Sequence, residues 1–140
     1  MSVEMKEDLS DVKVSLGRCL LNQKHEKRFL DRFYDVFVDS HPSIRVLFEN
    51  TDFGKQVKAL KHGLNMAILY AEGDSLADDV LDKIKCTHAG SLQIPAELFP
   101  YWLESIMKTI AEYDEKFSPE LDRRWRYVFE KSIKLIKSGY

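Results

Sequence analysis

The amino-acid sequence predicts an all-α domain, and three observations support that class. Apolar residues recur at helical spacing along nearly the whole chain, which is the pattern of amphipathic helices. No stretch alternates for long between apolar and polar residues, as a half-buried strand would. The periodic segments are long, and most of them begin at residues that suit helix caps or first turns. We therefore expect about seven helices, one of them very short.

The first two helices are predicted from their apolar stripes. One covers about residues 4–21, with an inward stripe of Val12, Leu16, Cys19 and Leu20. The second covers about residues 24–39, and aromatic side chains dominate its stripe at steps of three and four. That stripe comprises Phe29, Leu30, Phe33, Tyr34, Phe37 and Val38.

Capping residues define the next two elements. Pro42 opens a short helix after a corner, because proline suits the first helical turn. Asn50 or Thr51 is the expected N-cap of a long helix that reaches about residue 71. Its inward stripe comprises Phe53, Gln56, Val57, Leu60, Leu64, Ala67 and Ile68.

Three further helices are expected in the second half of the chain. The sequence AEGDS breaks the long helix, and the next one begins at 74–75 and ends near His88. Another opens at Pro95, with Pro100 still in its first turns. The Ser-Pro pair at 118–119 supplies the cap and the first residue of the last helix.

Composition and charge exclude several classes of protein. The chain has 140 residues, of which 44% are hydrophobic and 31% charged, as in one globular domain, so we treat 1–140 as a single domain. Its formal charge of −2 offers no basic excess for nucleic acid. We see neither a secretory signal nor an apolar run that would span a membrane. Cys19 and Cys86 lie far apart, which fits reduced thiols and a cytoplasmic location.

Three polar residues stand out against these apolar patterns. Tyr34 lies within the aromatic stripe of the second helix, and Gln56 lies one turn before Leu60 on the long helix. His88 stands where a helix gives way to a corner. An unpaired amide in an apolar site costs roughly 1–3 kcal/mol, so a bound polar ligand is one candidate for a common partner.

Each of the three also has an ordinary structural explanation. Tyr34 fits a core residue whose hydroxyl reaches the surface. Gln56 fits a solvated residue at the edge of its stripe, and His88 fits a helix C-terminal histidine favoured by the dipole. We interpret the other histidines, His25, His41 and His62, as solvated or capping. No zinc-like spacing, phosphate-binding loop or Ser/His/Asp set is evident.

Taken jointly, these positions match a known family. The chain resembles the globins, specifically the bacterial single-domain globins and the globin part of flavohaemoglobins. RFYDVFVDSHPSIRVLF is similar to that family's second-helix tyrosine, corner proline and near-universal phenylalanine, here Tyr34, Pro42 and Phe48. GKQVKAL is similar to its distal-helix motif of a glutamine followed four residues later by a leucine, here Gln56 and Leu60.

The second half of the chain extends the resemblance. KCTHAGSLQIPAELF is similar to the proximal-histidine segment and the start of the following helix, and RRWRYVF resembles the last helix, where tryptophan is common. Gln56 precedes His88 by 32 residues, as in flavohaemoglobins. The resemblance covers nearly all of the chain and implies a globin fold, a three-over-three helical sandwich. The short stretch from Phe48 to Gln56 leaves a short or absent helix before the distal helix.

The resemblance implies a non-covalent haem b between the Gln56 helix and the His88 helix. His88 becomes the iron ligand, because neutral imidazole binds haem iron through one ring nitrogen and donates a hydrogen bond from the other. The carbonyl of Ile84, one turn earlier, or Thr87 is a candidate acceptor of that hydrogen bond. The apolar lining expected to hold the haem comprises Phe48, Leu60, Leu64, Ile84, Ile94, Leu98 and Trp102.

On the distal side the resemblance implies an open sixth position, since glutamine and leucine stand at Gln56 and Leu60. The Tyr34 hydroxyl and the Gln56 amide are both donors, and two donors in a low-dielectric pocket stabilise a partly negative bound gas. We therefore expect slow release and high affinity for O₂, with NO and CO as other diatomic ligands. The tyrosine that flavohaemoglobins place behind the proximal histidine corresponds here to Phe99, which argues against a peroxidase-like role.

Reversible binding of O₂ is the leading hypothesis for the function, and two alternatives stay open. One is an enzyme, an NO dioxygenase, which would need a separate reductase because these 140 residues contain no reductase domain. The other is a gas or redox sensor acting through a partner. Rapid mixing of the oxygenated form with NO, followed by a multiple-turnover assay, distinguishes the enzyme from a simple binder. The sequence does not specify the oligomeric state.

Overall fold

The computed structural model describes residues 8–24, 26–73 and 95–137. Within these ranges the chain forms six α-helices, a short 3-10 helix and one small hairpin. The helices are α1 (Ser10–Leu21), α2 (Phe29–Asp39), α3 (Pro42–Leu47), α4 (Phe53–Ala71), α5 (Phe99–Tyr113) and α6 (Pro119–Lys137). The 3-10 helix, Ala96–Leu98, leads directly into α5. The mainly helical class predicted from the sequence is confirmed.

The hairpin is the main local difference from the prediction. Strands β1 (Gln23–Lys24) and β2 (Lys27–Arg28) pair antiparallel, so α2 begins at Phe29 and not near residue 24. The physical cause is distant in sequence. The Tyr113 hydroxyl donates to the Lys27 carbonyl at 2.9 Å and lies 3.3 Å from the Lys24 carbonyl. These bonds hold the segment in a form that local helical periodicity does not specify.

Capping explains the starts of the helices that follow. Pro42 opens α3, and the His41 side chain accepts a hydrogen bond from the Ser43 amide at 3.0 Å, so the capping interpretation of His41 is confirmed. The hydroxyl of Ser118 accepts from the Leu121 amide at 3.1 Å at the start of α6, as expected. The predicted N-cap of α4 is wrong. The helix is capped by Asp52, and not by Asn50 or Thr51.

The core lies where α2 packs on α5, α4 packs on α6, and α1 crosses both α5 and α6. Most of the predicted inward residues are buried, including Cys19 on α1. The first turn of α4 departs from its predicted stripe, because Phe53 is 38% exposed. The largest fully buried side chains include Trp125, Tyr113, Phe29, Phe33, Phe37 and Phe129.

A buried polar cluster fixes α1 to the corner between α5 and α6. We call it the corner cluster, formed by Ser15, Arg18, Asp114 and Trp125. The Trp125 indole donates to the Ser15 hydroxyl at 2.9 Å, and that hydroxyl donates to the Asp114 carboxylate at 2.6 Å. Arg18 binds the same carboxylate through two nitrogens, at 2.5 and 2.9 Å. Every member therefore has a partner inside the chain, as buried polar groups require.

Candidate functional site

The residues predicted to form the distal side of a ligand site are brought together by three helices. Tyr34 is buried on α2, Phe48 is buried at the end of α3, and Gln56 is half-buried in the first turn of α4. The Tyr34 hydroxyl donates to the Gln56 main-chain carbonyl at 3.2 Å and lies 3.5 Å from its side-chain oxygen Oε1. We refer to Tyr34 and Gln56 as the distal pair.

The hydrogen bonding within the distal pair is weak. Hydroxyl-to-oxygen bonds in proteins usually span about 2.7–2.8 Å, so both contacts are long. The hydroxyl has a single proton, and the two acceptor oxygens of Gln56 compete for it. The Gln56 carbonyl also belongs to a helix that supplies its own backbone bonds. A ligand that is a better acceptor can therefore accept a hydrogen bond from the Tyr34 hydroxyl at the cost of only a weak existing bond.

Aromatic rings surround Tyr34 on several sides. Its ring makes edge contacts with Phe33, Phe48 and Phe53, with ring centroids 5.0, 6.0 and 5.5 Å away. This burial raises the pKa of the Tyr34 phenol far above its ordinary value. The hydroxyl is therefore a neutral hydrogen-bond donor at physiological pH.

A tight connection places Gln56 opposite Tyr34. No helix intervenes between α3 and α4, and the Thr51 amide bonds back to the Phe48 carbonyl at 3.3 Å. The short connection expected from the sequence is therefore confirmed. Asp52 then starts α4 by accepting from the amides of Gly54 and Lys55, at 3.0 and 3.4 Å. A Cβ at position 54 would stand 3.2 Å from that carboxylate, so glycine leaves room for the cap.

The predicted apolar lining is partly described. Leu60 and Leu64 are buried on α4, and Leu98 is buried in the 3-10 helix before α5. Trp102 on α5 is half-buried and makes edge contacts with Phe33 at 5.8 Å and Phe129 at 5.2 Å between ring centroids. These residues belong to, or pack against, one hydrophobic core that also contains Tyr34 and Phe48.

The proximal predictions lie outside the described residues. They are His88, Ile84, Thr87 and Ile94. Among the ranges that the structure does describe, no group of three or more metal-binding side chains could hold an ion. His62 is exposed on α4, in agreement with its solvated interpretation.

Phe53 is the residue whose place at the site was not foreseen. The sequence pattern put it in the inward stripe of α4 but not beside Tyr34. In the structure its ring contacts Tyr34 and stacks on Phe48 with a centroid distance of 6.0 Å. The only sequence signal for this position is the shortness of the segment after Phe48, which brings the first turn of α4 close to α2.

The described half of the site fits a haem on its distal side. The side chains gathered there are apolar or are neutral donors, and buried leucines follow the distal pair along α4. Neither Gln56 nor Leu60 is a histidine or a methionine, the side chains that commonly ligate haem iron from a helix. These side chains therefore suit a haem, because most of them are apolar and can pack against its ring, while the two polar side chains of the distal pair lie together at one place.

Comparison with known proteins defines the class. The family model described as Globin matches residues 31–135, and the chain belongs to the globin family. The all-α architecture of the described ranges is the globin fold. Among curated protein sequences, none matches significantly.

A solved structure gives a particular relative. It is the crystal structure of the protein PA3967 from Pseudomonas aeruginosa PAO1, which is described as structurally highly homologous to a human haemoglobin. The two chains are 34% identical, with a TM-score of 0.85, and the match covers 94% of this chain and 96% of that one.

None of the helices in the described ranges is long and apolar enough to cross a membrane.

Proposed function

We propose that this globin holds a non-covalent haem b and binds O₂ reversibly, along with NO and CO. His88 is the proposed iron ligand, and the distal pair is the proposed set of donors to the bound gas. Haem supplies the iron at which a diatomic gas binds. Family membership and the likeness to a haemoglobin-like bacterial protein support the cofactor.

The observation that carries the proposal is the long contact between Tyr34 and Gln56. A buried hydroxyl in an aromatic cage normally has a short hydrogen bond, because an unsatisfied polar group is costly to bury. Here the hydroxyl lies 3.2 Å from a carbonyl that already belongs to α4. A bound gas with partial negative charge provides the stronger acceptor, and the Gln56 amide adds a second donor.

The remaining lining residues act by shaping the site and by excluding water from it. Phe48, Leu60 and Leu64 are proposed as distal and side walls, with Leu98 and Trp102 nearer the opposite face. Apolar walls exclude water, and hydrogen bonds gain strength in a medium of low dielectric. Two donors in such surroundings favour slow release of O₂ and hence high affinity. Ile84 and Ile94 complete the proposed lining.

The first test is a titration of the purified chain with haem. We expect a Soret band and a stability gain of about 2.7 kcal/mol when free haem is at 100 times its dissociation constant. His88→Ala should abolish or weaken the Soret band, and added imidazole should restore it. His62→Ala is the matched control, since this histidine is exposed. A Soret band unaffected by His88→Ala would contradict the assignment of His88.

A further inference from the structure

A surface groove of about 730 Å³ lies between α2 and the beginning of α4. Apolar side chains line part of it, namely Val38, Phe53 and Val57, and charged side chains such as Asp31 and Arg45 line the rest. Several of these charges are neutralised in place. Lys27 pairs with Asp35 at 2.7 Å, and Arg45 pairs with Asp39. The groove therefore offers an apolar strip within a lining that is mostly charged, and most of those charges are ion-paired.

Tyr34 belongs to both the groove and the distal site. It is one of the residues lining the groove, yet it is only 9% exposed. Its hydroxyl meanwhile reaches Gln56. A single aromatic side chain thus lines the groove and reaches Gln56, beside which the proposed function places the bound gas.

Phe53 covers this junction from the solvent side. Its ring packs edge-on against Tyr34 at 5.5 Å and stacks on Phe48 at 6.0 Å, while 38% of the residue remains exposed. It is the first residue of α4, which begins after a short turn. The side chain is therefore attached at a helix end and packed on one side only.

We propose that this groove is the route by which a diatomic gas passes between solvent and the distal side, and that Phe53 is its movable lid. The inference rests on the proposed function, because it assumes that the gas binds beside Tyr34. A small neutral molecule suits the route, since it needs no charged partner in the groove, and Val38, Phe53 and Val57 give it an apolar surface to follow.

The test compares Phe53→Ala with Phe53→Trp in the CO-loaded protein after flash photolysis. A lid that is open about 10% of the time slows association about tenfold, so its removal should raise the bimolecular CO association rate by up to about tenfold. Phe53→Trp should lower that rate. Tyr127→Ala is the matched control, because Tyr127 is also 38% exposed but lies on α6 away from the groove.

A second measurement needs no haem. Tyrosine absorbance during alkaline titration, with a Tyr34→Phe background subtracted, reports how well Tyr34 is covered in the haem-free chain. Phe53→Ala should let Tyr34 ionise at lower pH than in the wild type. If the wild type binds haem and CO but neither variant changes the CO rate, the route is wrong although the function stands. If the wild type binds no haem, the proposed function itself fails.

Discussion

The corner cluster and the distal pair each contain a buried polar side chain, Asp114 and Tyr34, but the two are hydrogen-bonded very differently. In the corner cluster the Ser15, Arg18 and Trp125 donors all lie 2.5 to 2.9 Å from their acceptors. In the distal pair the Tyr34 hydroxyl is 3.2 and 3.5 Å from the two Gln56 oxygens. The first set is complete within the chain, whereas the second leaves bonding capacity unused.

The difference separates the structural role of the corner cluster from the binding role that we propose for the distal pair. Short, charge-assisted hydrogen bonds are strong and make a group costly to remove. Long neutral bonds to an already bonded carbonyl contribute little, so their loss costs little. We therefore expect substitutions in the corner cluster to change the free energy of unfolding, and substitutions in the distal pair to change the release of ligand.

The largest effect is expected for Asp114→Ala. This substitution removes the acceptor shared by Ser15, Arg18 and the Lys116 amide, and it should lower the free energy of unfolding by about 3 kcal/mol. Urea unfolding measures it. Glu104→Ala is the control, because Glu104 also binds an arginine through both oxygens but its side chain is 65% exposed. The control should lose no more than about 1 kcal/mol, and equal losses would contradict the structural role of the cluster.

Acid pH should weaken the corner cluster before it affects the distal pair. Burial alone would raise the pKa of Asp114, but hydrogen bonds from Arg18, Ser15 and Lys116 outweigh it and hold the pKa below its ordinary value. A lowered pKa contributes stability above the unfolded value of about 3.9, and that stability is lost as pH falls through the folded pKa. Asp114→Asn should therefore unfold with a shallower pH dependence below about pH 4. An unchanged slope in urea unfolding across this range would count against the lowered pKa.

Two tyrosines give the next comparison, because each loses only a hydroxyl when replaced by phenylalanine. Tyr34→Phe should speed the release of O₂ by roughly 5- to 10-fold, which corresponds to a hydrogen bond of about 1–1.5 kcal/mol. Its free energy of unfolding should hardly change. Tyr113→Phe removes the 2.9 Å bond to the Lys27 carbonyl, so it should cost about 1 kcal/mol of stability and leave O₂ release unchanged.

Stopped-flow displacement of O₂ and urea unfolding, applied to both variants, check this pair of predictions. If both variants altered the same quantity, either the rate of O₂ release or the free energy of unfolding, the proposed difference between the two tyrosines would be wrong. An unchanged release rate in Tyr34→Phe would specifically remove Tyr34 from the proposed set of donors.

The sequence was most informative where local pattern decides structure. Helical spacing and caps placed α3, most of α4 and α6, and the polar interruptions at Tyr34 and Gln56 marked two residues that the fold brings into contact. What periodicity lacks is the identity of distant partners. The hairpin depends on a Tyr113 hydroxyl 86 residues away from Lys27. The corner cluster joins Ser15 to Trp125 across 110 residues. Neither contact leaves a mark in local spacing.

The smallest effect is expected at the cap of α4, and it tests how firmly the distal pair is held. Asp52→Ala removes an acceptor for the Gly54 and Lys55 amides, and loss of an N-cap costs typically about 1 kcal/mol. Ser118→Ala is the matched control, since Ser118 caps α6 beside the corner cluster. Both should lower the free energy of unfolding by similar amounts.

The two substitutions should differ in which helix shows faster amide hydrogen exchange. In Asp52→Ala, amide hydrogen exchange should accelerate by roughly fivefold at the first turn of α4, the segment that positions Gln56, because local opening there becomes easier. In Ser118→Ala the same amides should keep their wild-type exchange rates. Equal acceleration in both variants would mean that α4 opens only with the whole molecule, and the distal pair would then be as rigidly held as the corner cluster.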